Sequence, residues 1–446
     1  MHINLLDTAV CHSHFEIMRA LSLMPTGGAE LGEVVQTANR IKDRDVDQWI
    51  NEWRATADHA ARAAEDALLK EQFVTARQAF LRASTYYRTA VFYATFDDPR
   101  HKRLWEHGRA CFHQAIRLMS PTPEIVEIPF GDARLPGYFI KGGEGKRPTL
   151  IALGGFDSTM EENVHTIGFA AAERGWNCLA FEGPGQWSAL YLNPGLTLRH
   201  DYEVPMKAVV DYVLQRPEVD AERLALIGYS LGGYLAPRAA AFEPRIRACI
   251  ANNLITEIGE AFRAVWPPVL RDAPMVVFDG AFSAMTKISQ HARWSWGHSR
   301  WTMGLEHPSE FFDAWKPYTL TGTEDRLRCP LLCLYGEDEL SQMESMFVVE
   351  AVIRYLDNVT CDTTLHVFPT NQGAGAHCQA GGLTLANDVI FDWLDRMFSP
   401  EQAQRAPTLH LDPHLVPILR RYHGKKIDAI LSKYRMFTNL STNIAQ

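Results

Sequence analysis

The sequence predicts an α/β fold, in which a mostly parallel, doubly wound sheet follows an all-helical N-terminal domain and is interrupted by a helical insertion. Three observations predict it. Residues 1–122 show only the 3.6-residue apolar period of amphipathic helices. From Pro148 onward, short apolar runs alternate with helical segments, as they do around parallel sheets. That alternation stops between 254 and about 327, which marks the insertion.

The composition argues against several classes of protein. With 46% hydrophobic and 22% charged residues over 446 positions, the chain is ordinary for a globular protein. Its formal net charge of −9 argues against a nucleic-acid binder. No run of about 18 apolar residues suggests a membrane span, and the first residues lack a signal-peptide pattern. The eight cysteines are scattered, without a C-x-x-C pair. We therefore expect a cytoplasmic protein that acts on a small molecule.

The predicted helical domain spans 1–122. Apolar residues recur every three or four positions over 46–69, over 71–93 and again over 102–119. The segment Asp97-Asp98-Pro99 interrupts the pattern before the last of these helices. Because the breaks are short, we expect the helices to pack antiparallel around a shared core.

The predicted α/β domain spans 123–398. It opens with two antiparallel strands, 124–130 and 135–140, joined by a turn at Gly131-Asp132. Further strands are predicted at 149–153, 177–181, 224–227, 246–252, 331–335 and 364–368, and helices at 164–174, 200–214, 234–241 and 383–397. Because the strands are short apolar runs, we expect helices on both faces of the sheet.

The C-terminal tail, 399–446, is basic, in contrast to the acidic chain as a whole. It carries seven Lys and Arg against three Asp and Glu, and a helix is predicted over 415–431. Three arrangements stay open: a tail in solvent, a tail packed on the body of the protein, and a tail packed on a partner subunit in a homodimer.

The stretch Gly228-Tyr-Ser-Leu-Gly232 contains the candidate nucleophile, Ser230. It fits the pattern G-x-S-x-G, directly after an apolar strand and directly before a helix. This order of strand, tight turn and helix is that of a nucleophile elbow, which exposes the serine at its tip. The N–H of Leu231, at the start of the helix, is expected to face a developing oxyanion. The structural alternative is a plain glycine-rich turn, which the flanking elements disfavour.

A serine nucleophile needs a base and an acid. The candidate base is His377, in a glycine-rich loop between the last strand and the closing helix, where the chain order Ser, acid, His places it. The acid should follow the strand 331–335, where the sequence reads Gly336-Glu-Asp-Glu339. Spacing favours Glu339, and Asp338 stays open as the only aspartate of the group. The turn Gly154-Gly-Phe156 is expected to supply a second oxyanion donor, the Phe156 N–H.

The insertion over 254–327 is rich in tryptophan. Its position in the chain predicts that it lies over the carboxyl ends of the strands, where α/β proteins bind ligands. It forms either an aromatic-walled lid or a helical layer with its own core. The predicted substrate contacts are Trp294, Trp296 and Trp301, together with Tyr229 beside the nucleophile. No metal site is predicted, because His12-Ser-His14 has no third ligand in view.

Four segments of the chain resemble a known family. They are Gly154-Gly-Phe-Asp-Ser158, Glu182-Gly-Pro-Gly-Gln186, Tyr229-Ser-Leu-Gly-Gly-Tyr-Leu-Ala-Pro-Arg238 and Gly373-Ala-Gly-Ala-His-Cys-Gln379. Over roughly 45–398 the chain resembles α/β-hydrolases with an N-terminal helical domain, which include 2,6-dihydroxypseudooxynicotine hydrolase and fungal pigment polyketide-shortening hydrolases. Two positions depart from the family pattern: Glu182 replaces a common aspartate, and Gly-Glu-Asp-Glu replaces Gly-x-x-Asp.

The resemblance implies an α/β-hydrolase fold, a helical domain that helps to wall the active site, and chemistry without a cofactor. Several members cleave a carbon–carbon bond beside a ketone, and others act on esters, amides or peptides. We therefore predict a serine hydrolase of secondary metabolism that attacks a ketone or ester carbonyl of an aromatic or polyketide-like substrate. The alternatives are an esterase or peptidase, an intramolecular acyl-transfer enzyme of the same fold, and a non-catalytic binding protein.

Overall fold

The computed structural model describes residues 12–42, 45–264, 267–344, 348–399, 409–411 and 435–436. The helices are α1 (His12–Leu21), α2 (Leu31–Ala38), α3 (Val46–Leu69), α4 (Phe73–Val91), α5 (Pro99–Arg117), α6 (Met160–Asn163), α7 (Phe169–Glu173), α8 (Trp187–Leu192), α9 (Glu203–Leu214), α10 (Gly232–Phe242), α11 (Ile258–Ala264), α12 (Pro268–Arg271), α13 (Met275–Ile288), α14 (Gln290–Met303), α15 (Glu310–Trp315), α16 (Glu337–Glu344), α17 (Val348–Asn358) and α18 (Leu383–Met397). The strands are β1 (Glu124–Phe130), β2 (Ala133–Ile140), β3 (Arg147–Leu153), β4 (Asn177–Phe181), β5 (Val219–Tyr229), β6 (Ala248–Asn252), β7 (Leu331–Gly336), β8 (Thr363–Phe368), β9 (Leu409–Leu411) and β10 (Arg435–Met436).

Short polar side chains define the starts of two long helices. At α3, the Asp45 carboxylate accepts a hydrogen bond from the Gln48 N–H (2.9 Å). At α5, Asp98 accepts one from the Arg100 N–H (2.8 Å), and Pro99 is the first helical residue. The predicted break before 102 is therefore a helix start, because a capping aspartate and a proline both favour the first turn.

The chain divides into two compact units whose segments alternate along the sequence. Unit 1 comprises the described residues of Met1–Gly143, Asp157–Arg199 and Pro268–Phe311. It contains α1–α8, α12–α14 and an antiparallel sheet in the order β1-β2-β4. Aromatic side chains of the N-terminal helices fill its core: Trp49 and Trp53 are 2% and 0% exposed and pack on Tyr93 and Tyr86. The sequence-based domain boundaries at 122 and 398 stay predictions.

Unit 2 comprises the described residues of Glu144–Phe156, His200–Pro267 and Phe312–Gln446. Its strands form a parallel sheet in the order β3-β5-β6-β7-β8-β9-β10. Every residue of β6 and β7 is buried, as continuous apolar strands require. Because the strands are parallel, the segments that follow β5, β6, β7 and β8 leave the same edge of the sheet.

The predicted α/β fold class is confirmed. The bounds of α3, α18, β1 and β4 agree with those read from the sequence, since strong periodicity and turn residues define them. Part of the tail extends the sheet, because Thr363 of β8 lies opposite Leu409 of β9. The helix predicted over 415–431 lies outside the described residues. Among the helices described, none is long and apolar enough to cross a membrane.

Candidate active site

The nucleophile elbow lies between β5 and α10. Ser230 has a φ of 56°, a conformation that non-glycine residues rarely adopt. Two backbone hydrogen bonds hold it there, from Ser230 N–H to Asn252 O (2.5 Å) and from Gly233 N–H to Ser230 O (2.7 Å). The turn is so tight that a Cβ at Gly228 would lie 1.9 Å from Gly232 O. The first glycine of G-x-S-x-G is therefore a steric requirement of the turn.

Ser230, His377 and Glu339 form one chain of hydrogen bonds within unit 2. The Nε2 atom of His377 lies 2.9 Å from the Ser230 Oγ, and its Nδ1 atom contacts the Glu339 Oε1. A carboxylate only accepts, so His377 carries its proton on Nδ1 and accepts the hydroxyl proton of Ser230 on Nε2. An imidazole held in this tautomer can take the serine proton during attack on a carbonyl carbon.

Glu339 is buried, at 5% exposure, in the first turn of α16. Its Oε1 accepts a hydrogen bond from Asn253 Nδ2 (2.5 Å), and its Oε2 lies 3.4 Å from the Gly336 N–H. Asp338 points elsewhere and accepts a hydrogen bond from the Thr370 Oγ1 (2.7 Å). Of the two carboxylates left open by the sequence, the structure brings Glu339 to His377.

The charge state of His377 depends on three influences. Burial lowers its pKa, whereas the neighbouring Cys378 side chain and the Glu339 carboxylate raise it. The net effect is a pKa well above the usual 6.5, because the positive imidazolium gains a negative partner. The Cys378 sulfur lies 3.6 Å from His377 Nε2.

The turn Gly154-Gly-Phe156 lies against the nucleophile. A Cβ at Gly155 would be 2.7 Å from the Ser230 Cβ and 3.3 Å from Leu231 N. Only glycine allows this approach, and it brings the backbone of the turn beside Leu231, the residue before α10. The two predicted oxyanion donors, the Phe156 and Leu231 N–H groups, therefore come from segments that touch each other.

Aromatic side chains of unit 2 adjoin this turn. The Phe156 ring packs edge-to-face on Trp315, with centroids 5.6 Å apart. Trp315 in turn contacts Phe262 (5.2 Å) and Tyr318 (4.8 Å). The Phe156 side chain is partly exposed, whereas Trp315 is 1% exposed. Phe156 therefore presents an aromatic surface next to its own N–H group.

The three tryptophans predicted as substrate contacts belong to α14, in unit 1. Trp294 stacks on Phe92 (4.9 Å), Trp301 packs on Trp187 (5.4 Å), and Trp296 contacts Phe282 (5.7 Å). All three side chains are partly exposed. Tyr229, in unit 2, ends β5 and is 6% exposed. The role of all four in substrate binding stays a prediction.

Sequence reasoning missed three amides at the site. Asn252 is the last residue of β6, and Asn253 follows it directly. Gln379 lies two residues after His377. Asn252 Nδ2 donates to Gln379 Oε1 (2.7 Å), and Asn253 bonds Glu339 as described above. The available signal was two consecutive asparagines at the carboxyl end of a parallel strand, where polar side chains often serve a site.

Unit 1 contains a small cavity. Arg88, Arg109, Glu161, Glu162 and His165 contribute to its lining. Burial lowers the pKa of His165 to about 4, so the ring is neutral at pH 7, and its Nε2 has no hydrogen-bond partner among the described residues. The cavity surface is mostly apolar, and these polar side chains are the groups on it that could bind an ordered water. Within the described ranges, no group of three or more His, Cys, Asp or Glu side chains could hold a metal ion.

Glu182 departs from the Asp-Gly-Pro-Gly pattern, and its carboxylate has a structural role in unit 1. It is 1% exposed and accepts hydrogen bonds from the Met160 N–H (2.7 Å) and the Ser188 N–H. Burial first, and the nearby Glu161 second, raise its pKa to about 8. The longer side chain is therefore accommodated by two backbone donors.

Comparison with known proteins shows which family the chain resembles. A family model described as "Alpha/beta hydrolase family" matches residues 153–378, and one described as "Esterase FrsA-like" matches 38–264. Hydrolase acrC of Aspergillus aculeatus is 33% identical over 414 residues, which cover 86% of this chain and 96% of that protein. The 20-hydroxy-prefusarin hydrolase FUS2 of Gibberella moniliformis is 32% identical over 408 residues, with the same coverages. The crystal structure of 2,6-dihydroxy-pseudo-oxynicotine hydrolase, 21% identical, superposes with a TM-score of 0.65 over 87% of this chain and 98% of its own.

Proposed function

The chain belongs to the alpha/beta hydrolase family, and on that premise we propose that it is a serine hydrolase with Ser230 as nucleophile, His377 as general base and Glu339 as acid. One observation carries the proposal: these three side chains form a single chain of hydrogen bonds. As Ser230 attacks a carbonyl carbon, His377 takes its proton, and the Glu339 carboxylate stabilises the imidazolium that forms.

In the proposed reaction, the oxyanion of the tetrahedral intermediate accepts hydrogen bonds from the Phe156 and Leu231 N–H groups. The close approach of Gly155 to Ser230 supports this assignment. Each such donor contributes roughly 10²- to 10³-fold to the rate. His377 then gives its proton to the leaving group, which is an enolate or an electron-rich aryl carbon when a carbon–carbon bond breaks. A water molecule, activated by the same imidazole, releases the acyl group from Ser230.

The proposed substrate is an aromatic or polyketide-like ketone or ester. A relative that is 32% identical over most of both chains is named for hydrolysis of 20-hydroxy-prefusarin. The partly exposed Phe156 ring, which packs on Trp315 beside the oxyanion turn, also supports a flat, unsaturated substrate, because offset and edge-to-face ring contacts favour such groups. Carbon–carbon bond hydrolysis is the form of the reaction that this proposal favours.

Ester hydrolysis is the second candidate. It is favoured by the match of residues 38–264 to a family of FrsA-like esterases. The same serine, histidine and carboxylate would serve, but the leaving group would be an alkoxide, which needs less stabilisation than a carbanion.

Two measurements on the purified full-length chain test the proposal. A fluorophosphonate probe should label the wild type at Ser230 and leave Ser230→Ala unlabelled; equal labelling of both proteins would refute the serine mechanism. Product analysis with a panel of β-diketones and aryl esters should then show acid products from the diketones. Turnover of the aryl esters alone would reject carbon–carbon cleavage and leave the esterase.

A further inference from the structure

Asn252 joins the two segments that carry the nucleophile and the base. Its backbone oxygen accepts the Ser230 N–H (2.5 Å) and lies 3.7 Å from the Cys378 sulfur. Its side-chain Nδ2 donates to the Gln379 Oε1 (2.7 Å). Asn252 ends β6, opposite Tyr229 in β5, so a rigid buried strand supplies all three contacts.

The loop after His377 has a backbone that needs such an anchor. Cys378 and Gln379 have φ values of 51° and 54°, two consecutive non-glycine residues in the left-handed region. Side chains with a Cβ disfavour this conformation, so it persists only where surrounding contacts hold it. The Gln379 side chain is one of those contacts, and it lies only two residues from the base.

The amide pair is poorly explained as a stabilising contact. Asn252 and Gln379 are both 0% exposed, yet in the described structure the Asn252 Oδ1 and the Gln379 Nε2 have no hydrogen-bond partner. The unpaired half of each buried amide has lost its hydrogen bonds to water, which costs free energy. Two apolar side chains of the same volume would not carry this cost. An apolar pair would lack the directional hydrogen bond that joins the two amides.

We propose that the Asn252–Gln379 amide pair is the positioning element that holds His377 at hydrogen-bond distance from Ser230. The inference rests on the proposed serine mechanism and extends it. Neither amide touches the reacting atoms, so both are positioning residues. The pair fixes the loop backbone on one side of the imidazole, while the Glu339 carboxylate orients the ring from the other.

The test compares Gln379→Met with the wild type. Methionine nearly conserves the volume but cannot accept the hydrogen bond, so the histidine loop loses its anchor. We expect the rate of fluorophosphonate labelling, and kcat on a β-diketone or aryl ester that the wild type hydrolyses, to fall about 10- to 100-fold, with KM within about twofold. The matched control is Thr364→Val, which removes the acceptor of a partly buried hydrogen bond of unit 2, donated by the Trp393 Nε1 (3.2 Å). It should lower the melting temperature without changing the labelling rate of the folded protein.

The double variant Asn252→Gln, Gln379→Asn keeps two amides and the same summed side-chain length, and it should recover at least part of the labelling rate. A Gln379→Met variant that labels as fast as the wild type overturns the inference and leaves the proposed function intact. If Gln379→Met fails to fold, the double variant decides: folded protein that labels within about tenfold of the wild-type rate supports the pair, and folded protein that labels more slowly than that rejects it. Absence of labelling in the wild type rejects the proposed function and the inference with it.

Discussion

At the scale of single residues, the environments of Glu339 and Asp338 separate two adjacent carboxylates. Glu339 is buried and hydrogen-bonded to His377 and Asn253. Asp338 is exposed and accepts a hydrogen bond from the Thr370 hydroxyl. The acid that supports an imidazolium must contact the imidazole, and of these two carboxylates it is Glu339 that contacts His377. The proposed role therefore belongs to Glu339, and Asp338 serves the local structure.

We expect Glu339→Gln to lower kcat/KM by about 10²- to 10⁴-fold, because a glutamine amide no longer stabilises the imidazolium and can impose the wrong tautomer. Asp338→Asn is the matched control and should stay within a few-fold of the wild type. Steady-state kinetics on the same substrate, with melting temperatures of both variants, measures the difference. A larger loss in Asp338→Asn would contradict the assignment of the acid.

The pH dependence of these proteins follows from the raised pKa of His377. The general base must be neutral, so kcat/KM should rise with pH as His377 loses its proton, with an apparent pKa above 6.5. Glu339→Gln removes a negative partner of the imidazolium, so the same acidic limb should move to lower pH while the plateau falls. An acidic limb that stays in place would mean that another group controls it.

At the scale of elements, β5 and α10 can meet at Ser230 only through a turn without side chains at its base. A Cβ at Gly228 would overlap the Gly232 carbonyl oxygen at 1.9 Å, and backbone atoms cannot move away as a flexible side chain can. The same crowding explains why Ser230 keeps a left-handed φ: its neighbours on β6 and α10 hold it by backbone hydrogen bonds.

Gly228→Ala should therefore open the elbow. We expect a loss of roughly 1–3 kcal/mol in the free energy of unfolding, as for other overpacked sites. Fluorophosphonate labelling should be slower by about 10²-fold or more. Gly280→Ala is the control: this glycine lies inside α13, and nothing lies within 4 Å of an added Cβ. It should be neutral or stabilising, because alanine favours a helix interior. Denaturant unfolding measures the stability of both variants, and fluorophosphonate labelling measures their reactivity. A stable Gly228→Ala protein that labels as fast as the wild type would contradict the steric requirement for glycine.

At the scale of the whole molecule, neither compact unit is a continuous piece of chain. Unit 1 joins the N-terminal helices to segments from the middle of the sequence. The contacts within it are specific: His101 stacks on Trp187 (4.9 Å), and the Trp105 indole N–H donates to Ser188 Oγ (3.1 Å). The Glu162 carboxylate forms ion pairs with the Arg19 guanidinium. The helical segment read from the sequence as 1–122 thus shares its core with later residues.

A chain of residues 123–446 should therefore fold poorly by itself. Removal of α1–α5 exposes the apolar faces of unit 1 elements that packed on them, including Trp187 and Tyr138. We expect strong binding of a hydrophobic dye and a weak or absent cooperative unfolding transition. Addition of residues 1–122 as a separate chain is the control and should restore part of the transition. A truncated chain that unfolds cooperatively and binds no dye would support the division at 122.

The sequence by itself determined the fold class, the bounds of the most periodic helices and strands, and the chain order of Ser230, the carboxylate segment and His377. Each of these leaves a local pattern, such as a period of 3.6, an apolar run or a glycine turn. It determined neither the choice between Asp338 and Glu339 nor the roles of Asn252, Asn253 and Gln379, since these depend on contacts between residues 38 to 127 positions apart. The interleaving of the two units is likewise a property of the folded chain, because packing between distant segments has no period along the sequence. Only the tertiary structure, which brings the ends of β5, β6, β7 and β8 to one edge, decided which side chains meet there.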